Sequence, residues 1–451
     1  MKIIQTNGIY QLAYLAFPLM LNNLSTNLML FFDRLILANY STHAMNAAIT
    51  IGITCNIFHF AASSIAASAE VFVGRANGSN NYKQIGEPVW QMIWFSVMTF
   101  ILFIPLALYG KNIFIPEQYK EAGTTFYQLY MFCGPIFPFV MALTTFYIGR
   151  GKTKIIIWTS FIGNIINLIL AYILIIIFKM GLTGAALSTI IAQSFQAIIL
   201  FSIFLKRENR NIFGSKKLNI NIKLFLENLH IGFPMAIAYM VELGGWALIL
   251  RILSASGQKY ITAFAIGQSL FILFTFISEG LQKAITVLAS NYIGANNWIN
   301  FKKLLRESVK LQILIALVLL IPFLFYAEPI IKSFTHSSNM NINNFNQSAQ
   351  NALIWFWFFF ICDGIKWILA SLLISLKKAA YVMLTNLATI WIIAVLPIYI
   401  YVKTFKGSEN FVWFFIILYS IVNAFILYLF YRSEIKKSHL NSLAYSNNSK
   451  I

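Results

Sequence analysis

The chain has 451 residues, of which 59% are hydrophobic and only 10% are charged. A soluble protein of this length does not carry so large a share of apolar side chains. The uncharged run Ile155–Phe178 is long enough to cross a bilayer, which takes about 20 apolar residues. Because the apolar runs do not alternate with polar residues, and because no water satisfies backbone groups in hydrocarbon, the spanning elements are predicted to be helices.

Taken in chain order, the apolar runs predict an all-α polytopic membrane protein with about twelve transmembrane helices. Their approximate bounds are 10–40, 47–75, 89–109, 125–148, 155–178, 181–205, 230–254, 262–293, 310–332, 351–375, 380–402 and 411–431. Four of these runs are longer than a bilayer is thick, so we expect those helices to tilt, bend or extend beyond the membrane.

The net charge of +19 raises the question of a nucleic-acid partner, but its distribution indicates a topological origin. In the twelve-helix arrangement, 22 of the 33 Lys and Arg residues fall on the side that holds both termini, and 7 fall on the opposite side. This is the positive-inside bias, which places both termini in the cytoplasm. We therefore expect a multi-pass protein of the inner membrane, in contact with lipid and not with nucleic acid, and monomeric.

The chain also repeats itself. Phe17-Pro18 in the first span matches Phe233-Pro234 in the seventh, 216 residues later, and the loop that begins at Gly78 matches the one that begins at Gly294 with the same offset. Such a repeat predicts two six-helix lobes related by a pseudo-twofold axis along the membrane normal. The lobes are predicted at 1–205 and 225–434, with a basic cytoplasmic linker at 206–224 and a polar cytoplasmic tail at 435–451.

Three carboxylates inside predicted spans are candidate cation-coupling residues: Asp33, Glu242 and Asp363. An ionisable group at membrane depth is costly, so it usually faces a cavity or a charged partner. Buried carboxylates can exchange protons near neutral pH or bind a hard cation, and we name Glu242 and Asp363 as a possible sodium site.

Ion pairing between helices is the alternative for each intramembrane carboxylate. Lys366 lies three residues after Asp363 on the same helix face and can reach it. Glu242 has no basic residue within one turn, which favours a coupling role. For Glu70 and Glu279, pairing with the nearby Arg75 and Lys283 is the favoured interpretation.

The sequence shows no P-loop and no H-E-x-x-H or G-x-S-x-G motif, so no enzyme activity is expected. Trp357 belongs to an aromatic run before Asp363 that could contact an organic cation, although such a run also faces lipid and neighbouring helices. We expect small-molecule substrates, no cofactor, and a proton or sodium gradient as the energy source.

Several segments together resemble the multidrug and toxic compound extrusion (MATE) family over nearly the whole chain. They are Ala16-Phe17-Pro18 through Asp33, Val73–Gly78, Asn164–Asn167 followed by Gly181–Thr189, Gly232-Phe233-Pro234 through Glu242, and Asp363-Gly364.

The resemblance implies twelve helices in two lobes, and export of cationic, amphipathic compounds driven by protons or sodium. It is nearer the NorM-like branch, whose acidic residues in spans 1, 7 and 10 match Asp33, Glu242 and Asp363. The two predicted lobes imply a substrate cleft between them near the midplane, and to this cleft we assign Asn164, Asn167, Lys366 and Trp357. The aspartate that the DinF-like branch carries in span 5 is replaced here by Ala171.

Two departures from the family pattern concern charge. Arg34 follows Asp33 where a small polar residue is usual, and Lys366 stands where a Gln is usual. An ammonium beside Asp363 could take the place of a sodium ion. The basic residues within the spans also leave open a flippase for a lipid-linked precursor, an alternative within the same wider superfamily.

Overall fold

The computed structural model describes residues 8–325, 342–408 and 411–448. Within these ranges the chain forms helices and turns and no strand. The helices are α1 (Gly8–Tyr40), α2 (Thr42–Ala67), α3 (Ala69–Gly78), α4 (Gly86–Met98), α5 (Phe100–Tyr109), α6 (Lys111–Phe114), α7 (Lys120–Phe132), α8 (Ile136–Ile148), α9 (Thr153–Ala171), α10 (Gly181–Phe204), α11 (Arg207–Phe213), α12 (Ile222–Ser254), α13 (Gln258–Gly294), α14 (Trp298–Phe325), α15 (Ile342–Ser375), α16 (Ala379–Thr389), α17 (Leu396–Ile400) and α18 (Val412–Asn448).

Eleven helical segments within the described residues are long and apolar enough to cross a membrane. Each corresponds to one predicted span. The remaining prediction, 310–332, begins in α14, and its last part, 326–332, lies outside the described residues. The all-α polytopic architecture is therefore confirmed. Several helices, such as α12 with 33 residues, are longer than a bilayer requires, as the long apolar runs predicted.

The internal repeat is visible in the turns that end α3 and α13. Asn80 and Asn296, 216 residues apart, both adopt a left-handed backbone conformation, with φ of 58° and 53°. Asn tolerates this conformation better than most residues and often ends a helix in it. Tyr82 donates a hydrogen bond to Asn80 (2.9 Å), and Trp298 donates one to Asn296 (2.8 Å). The same turn is thus built twice from equivalent residues.

A second repeated feature is a short π-helical stretch in the fifth and the eleventh predicted spans. One covers Tyr172–Ile177 after α9, and the other covers Ile390–Val395 after α16. A π stretch widens the helix and shifts the direction of the side chains that follow, and it is frequent at functional sites.

The described chain divides into two compact units. The first contains Tyr14–Ile237 and Glu279–Phe301, and its core includes Phe103, Tyr127 and Leu182. The second contains Ala238–Ser278 and the chain from Lys302 onward, together with the start of α1. These units divide inside α12 and not at the predicted linker 206–224, part of which forms α11. The predicted lobe boundaries stay a prediction.

Candidate ion-coupling sites

The second unit contains a buried group of three charged side chains around Lys366. The Lys366 ammonium lies 2.5 Å from Glu242 Oε1 and 2.7 Å from Asp363 Oδ1. Lys366 is only 2% exposed, and both carboxylates are buried as well. The predicted pairing of Lys366 with Asp363 is therefore present, because residues three apart share a helix face.

Neutral polar groups surround this cluster. Tyr419 donates a hydrogen bond to Glu242 Oε1 and accepts one from Lys366, both at 3.3 Å. Trp367 donates to Asp363 Oδ2 at 2.8 Å. The other Glu242 oxygen, Oε2, has a longer contact with Asn386 Nδ2 at 3.4 Å. Glu242 Oε2 is consequently the carboxylate oxygen of the cluster with the longest polar contact.

Sequence reasoning missed the contact between Glu242 and Lys366. Glu242 lies on α12 and Lys366 on α15, 124 residues later, so local spacing gives no signal for the pair. Tyr419 and Asn386 were also missed. Their polar side chains within the last two predicted spans were the only signal in the sequence.

The first unit contains a second polar group around Asp33. Asp33 is buried, whereas its neighbour Arg34 is exposed, as expected for consecutive residues of a helix. Asn167 lies within hydrogen-bonding reach of Asp33, and it also donates to Thr189 at 3.2 Å. Asp33 Oδ1 has no hydrogen-bond partner among the described residues. This oxygen is free to accept a proton or a substrate donor.

The other predicted cleft residues make separate contacts. Asn164 donates to Ser25 on α1 at 2.7 Å, in the same unit as Asp33. Trp357 donates to the carbonyl oxygen of Ala316 on α14 at 2.7 Å and is partly buried. Asn164 and Asn167 are thus brought near α1, while Trp357 bonds to α14. The cleft assignment of these three residues and of Lys366 stays a prediction.

The pairing predicted for Glu70 and Glu279 is correct in part. Lys283 interacts electrostatically with both carboxylates. Arg75 interacts instead with Glu227, from α12, which the sequence spacing did not indicate. Within the described residues, no group of three or more His, Cys, Asp or Glu side chains is arranged to hold a metal ion.

Comparison with known proteins agrees with this architecture. The family model described as MatE matches residues 18–173 and again residues 234–400. The chain belongs to the MatE family. The two matches start 216 residues apart, at the two Phe-Pro positions of the internal repeat. This MatE chain is therefore a multi-pass membrane transporter built by duplication.

Curated relatives of this MatE protein carry names that concern drug resistance. It is 26% identical over 339 residues to a "Probable multidrug resistance protein NorM" of Thermotoga maritima, with 72% of each chain covered. It is 25% identical over 439 residues to a protein of the same name from Photorhabdus laumondii subsp. laumondii, covering 93% of this chain and 94% of the relative.

Solved structures share the fold at low sequence identity. One described as an outward-facing conformation of a multidrug resistance MATE family transporter has a TM-score of 0.86 and 16% identity, and 97% of this chain is covered. A transporter from Pyrococcus furiosus, described as having a binding pocket of reverse polarity, has a TM-score of 0.84 and 14% identity over the same share.

Proposed function

We propose that this MatE protein exports small organic compounds, cationic and amphipathic ones in particular, in exchange for protons. The observation that carries the proposal is the buried cluster of Glu242, Asp363 and Lys366, with two carboxylates and one ammonium. The names of its relatives support multidrug export as the transport class. The protein would act in the inner membrane, with both termini in the cytoplasm.

The charges of the cluster explain why a proton is favoured over sodium. The Lys366 ammonium already lies between the two carboxylates, in the position that a metal cation would otherwise take. One of the two negative charges remains uncompensated. An uncompensated charge at membrane depth costs several kcal/mol, and one proton bound by the cluster would neutralise it.

The same charge count accounts for exchange. A cationic substrate and a proton would each neutralise the remaining negative charge of the cluster, so only one of them would be bound at a time. Proton binding from outside would release the exported cation, and loss of the proton to the cytoplasm would prepare the next cycle. Asp33, with its free oxygen, would provide a second titratable group in the first unit.

The flippase alternative receives less support from this arrangement. A lipid-linked pyrophosphate needs a cationic pocket, and Lys366 was one of the basic residues that kept the alternative open. Its ammonium contacts two carboxylates, so its charge is not available to an anionic head group. We therefore favour export of cations.

Transport in liposomes tests the proposed coupling. Purified protein should move a fluorescent cationic dye when a proton gradient is imposed, and an equal sodium gradient should have little effect. Lys366→Gln removes the internal cation and should introduce a response to sodium.

Asp33→Asn should lose dye transport while inserting normally. Transport that a sodium gradient drives equally well in the wild type and in Lys366→Gln would contradict the proton assignment.

A further inference from the structure

Helices α3 and α13 cross closely in the first unit, and equivalent residues of the internal repeat form both sides of the crossing. A Cβ added at Gly78 would overlap the backbone of Asn291, and a Cβ added at Gly294 would overlap the backbone of Arg75. Gly78 and Gly294 are equivalent in the repeat, and so are Arg75 and Asn291. Asn77 also donates to Asn291 Oδ1 at 2.6 Å. The two helices therefore pack backbone to backbone where each glycine lies.

A buried carboxylate lies two turns before this crossing. Glu70 is on α3, one turn before Gly74, and a Cβ at Gly74 would contact Ser290 of α13. Glu70 is 5% exposed, and its Oε1 has no hydrogen-bond partner among the described residues. Lys283, on the facing helix α13, is the charged group that acts on Glu70.

Lys283 also acts on a second buried carboxylate of α13, that of Glu279. Glu279 Oε2 accepts a hydrogen bond from Asn23 of α1 at 3.1 Å. Two buried carboxylates therefore lie within the electrostatic reach of one ammonium, that of Lys283. One negative charge remains uncompensated in a tightly packed contact, and such a charge is costly to bury without a proton.

The remaining titratable side chains near α3 have other partners or positions. They include Arg75 on α3, Tyr82 and Lys83 in the turn after it, Glu87 on α4, Tyr147 on α8, Arg150 in the turn after α8, Glu227 and His230 on α12, and Tyr292 on α13. The Arg150 guanidinium lies over the rings of Phe146 and Phe213. Glu87 accepts from Asn221, Tyr147 donates to the Leu200 carbonyl oxygen, and Glu227 acts on Arg75.

We propose that Glu70 is a further proton-binding residue of the transport cycle, besides the Lys366 cluster and Asp33. Its proton neutralises the Glu70–Glu279–Lys283 cluster while α3 and α13 are packed, and it is released to water when the two helices separate. This inference rests on the proposed function, because alternating exposure of the transport path is what would require the helices to part.

Distance measurements between spin labels test the inference directly. Ser79 and Ala295 are exposed, equivalent positions at the ends of α3 and α13. Labels would be placed there in protein whose cysteines Cys55, Cys133 and Cys362 are replaced by Ala. In the wild-type background, the population of short distances should fall as the pH rises. In Glu70→Gln, which imitates the protonated carboxylate, the short distance should persist at every pH.

Two further variants make the outcome unambiguous. Glu279→Gln also leaves a single carboxylate near Lys283, so it should abolish the pH dependence of the distance. This variant keeps the inference testable if Glu70→Gln does not insert into the membrane. Glu117→Gln changes an exposed ion pair with Lys120 and should keep the wild-type profile. A wild-type distance distribution that does not change with pH, or a pH dependence that survives in both cluster variants, would overturn the inference.

The distance measurement needs neither substrate nor gradient. Failure of dye transport with a normal pH-dependent distance change would refute the proposed export function and leave the proton site intact. Normal proton-driven transport without any pH effect on the distance would refute the proton site alone.

Discussion

At the scale of single residues, Lys366 has the largest consequences. Its buried ammonium contacts two carboxylates, and the burial of these charges is tolerated only while the partners are present. Removal of one partner leaves a buried charge unpaired. Sequence spacing predicted one of its two contacts, with Asp363, because both residues lie on one helix. The contact with Glu242 depends on how α12 and α15 pack, and no local pattern encodes that packing.

Lys366→Met should destabilise the protein by about 3–5 kcal/mol near neutral pH, the typical loss when one partner of a buried ion pair is removed. The two remaining carboxylates repel each other while charged. Thermal unfolding in detergent, followed by tryptophan fluorescence, measures the effect.

Lys378 provides the matched control for Lys366. It forms an ion pair with Glu434 at 3.5 Å, and its side chain is 40% exposed. Lys378→Met should therefore change the stability by only about 0–1 kcal/mol. Equal stability of Lys366→Met and the wild type at neutral pH would show that the ammonium does not balance the carboxylates.

At the scale of helices, glycine positions decide how closely α3 and α13 approach. Gly78→Ala and Gly294→Ala should each weaken the packed crossing by about 1–3 kcal/mol, because the added methyl group overlaps a backbone that cannot rotate away. In the spin-label experiment, either substitution should reduce the short-distance population at low pH.

Gly52 of α2 is the control for these substitutions, since a Cβ there would meet no atom within 4 Å. Gly52→Ala should leave the distances unchanged and should stabilise the helix by a few tenths of a kcal/mol to about 1 kcal/mol. A short-distance population in Gly78→Ala and Gly294→Ala equal to that of Gly52→Ala would contradict the role of the crossing.

At the scale of the whole molecule, the positive-inside bias makes a prediction about orientation. Lys179 precedes α10 in a loop on the predicted outer side, whereas Arg207 and Arg210 lie on the predicted cytoplasmic side. Alkaline phosphatase fused after residue 180 should be active, since the enzyme needs export to fold. Phosphatase fused after residue 210 should be inactive. The reverse activities would invert the predicted topology.

The sequence by itself determined the fold class and the position of eleven spans, and it contains the internal repeat. Backbone groups cannot stay unpaired in hydrocarbon, so long apolar runs must form helices. The repeat can be recognised from the sequence alone, because the Phe-Pro segments and the Gly-containing loops recur at the same offset. The sequence also identified Asp33, Glu242 and Asp363 as candidates, because charged side chains at membrane depth are few and costly.

Only the tertiary structure decided how these groups are partnered. It brought Lys366 of α15 to Glu242 of α12 and Asn167 of α9 to Asp33 of α1, and it put Glu70 of α3 within the electrostatic reach of Lys283 on α13. These contacts join helices that are distant in the chain, and they depend on helix rotation and depth, which hydrophobic periodicity fixes only loosely when a helix is apolar all round. Packing also decides which charged side chains belong to each cluster, and therefore the net charge of that cluster.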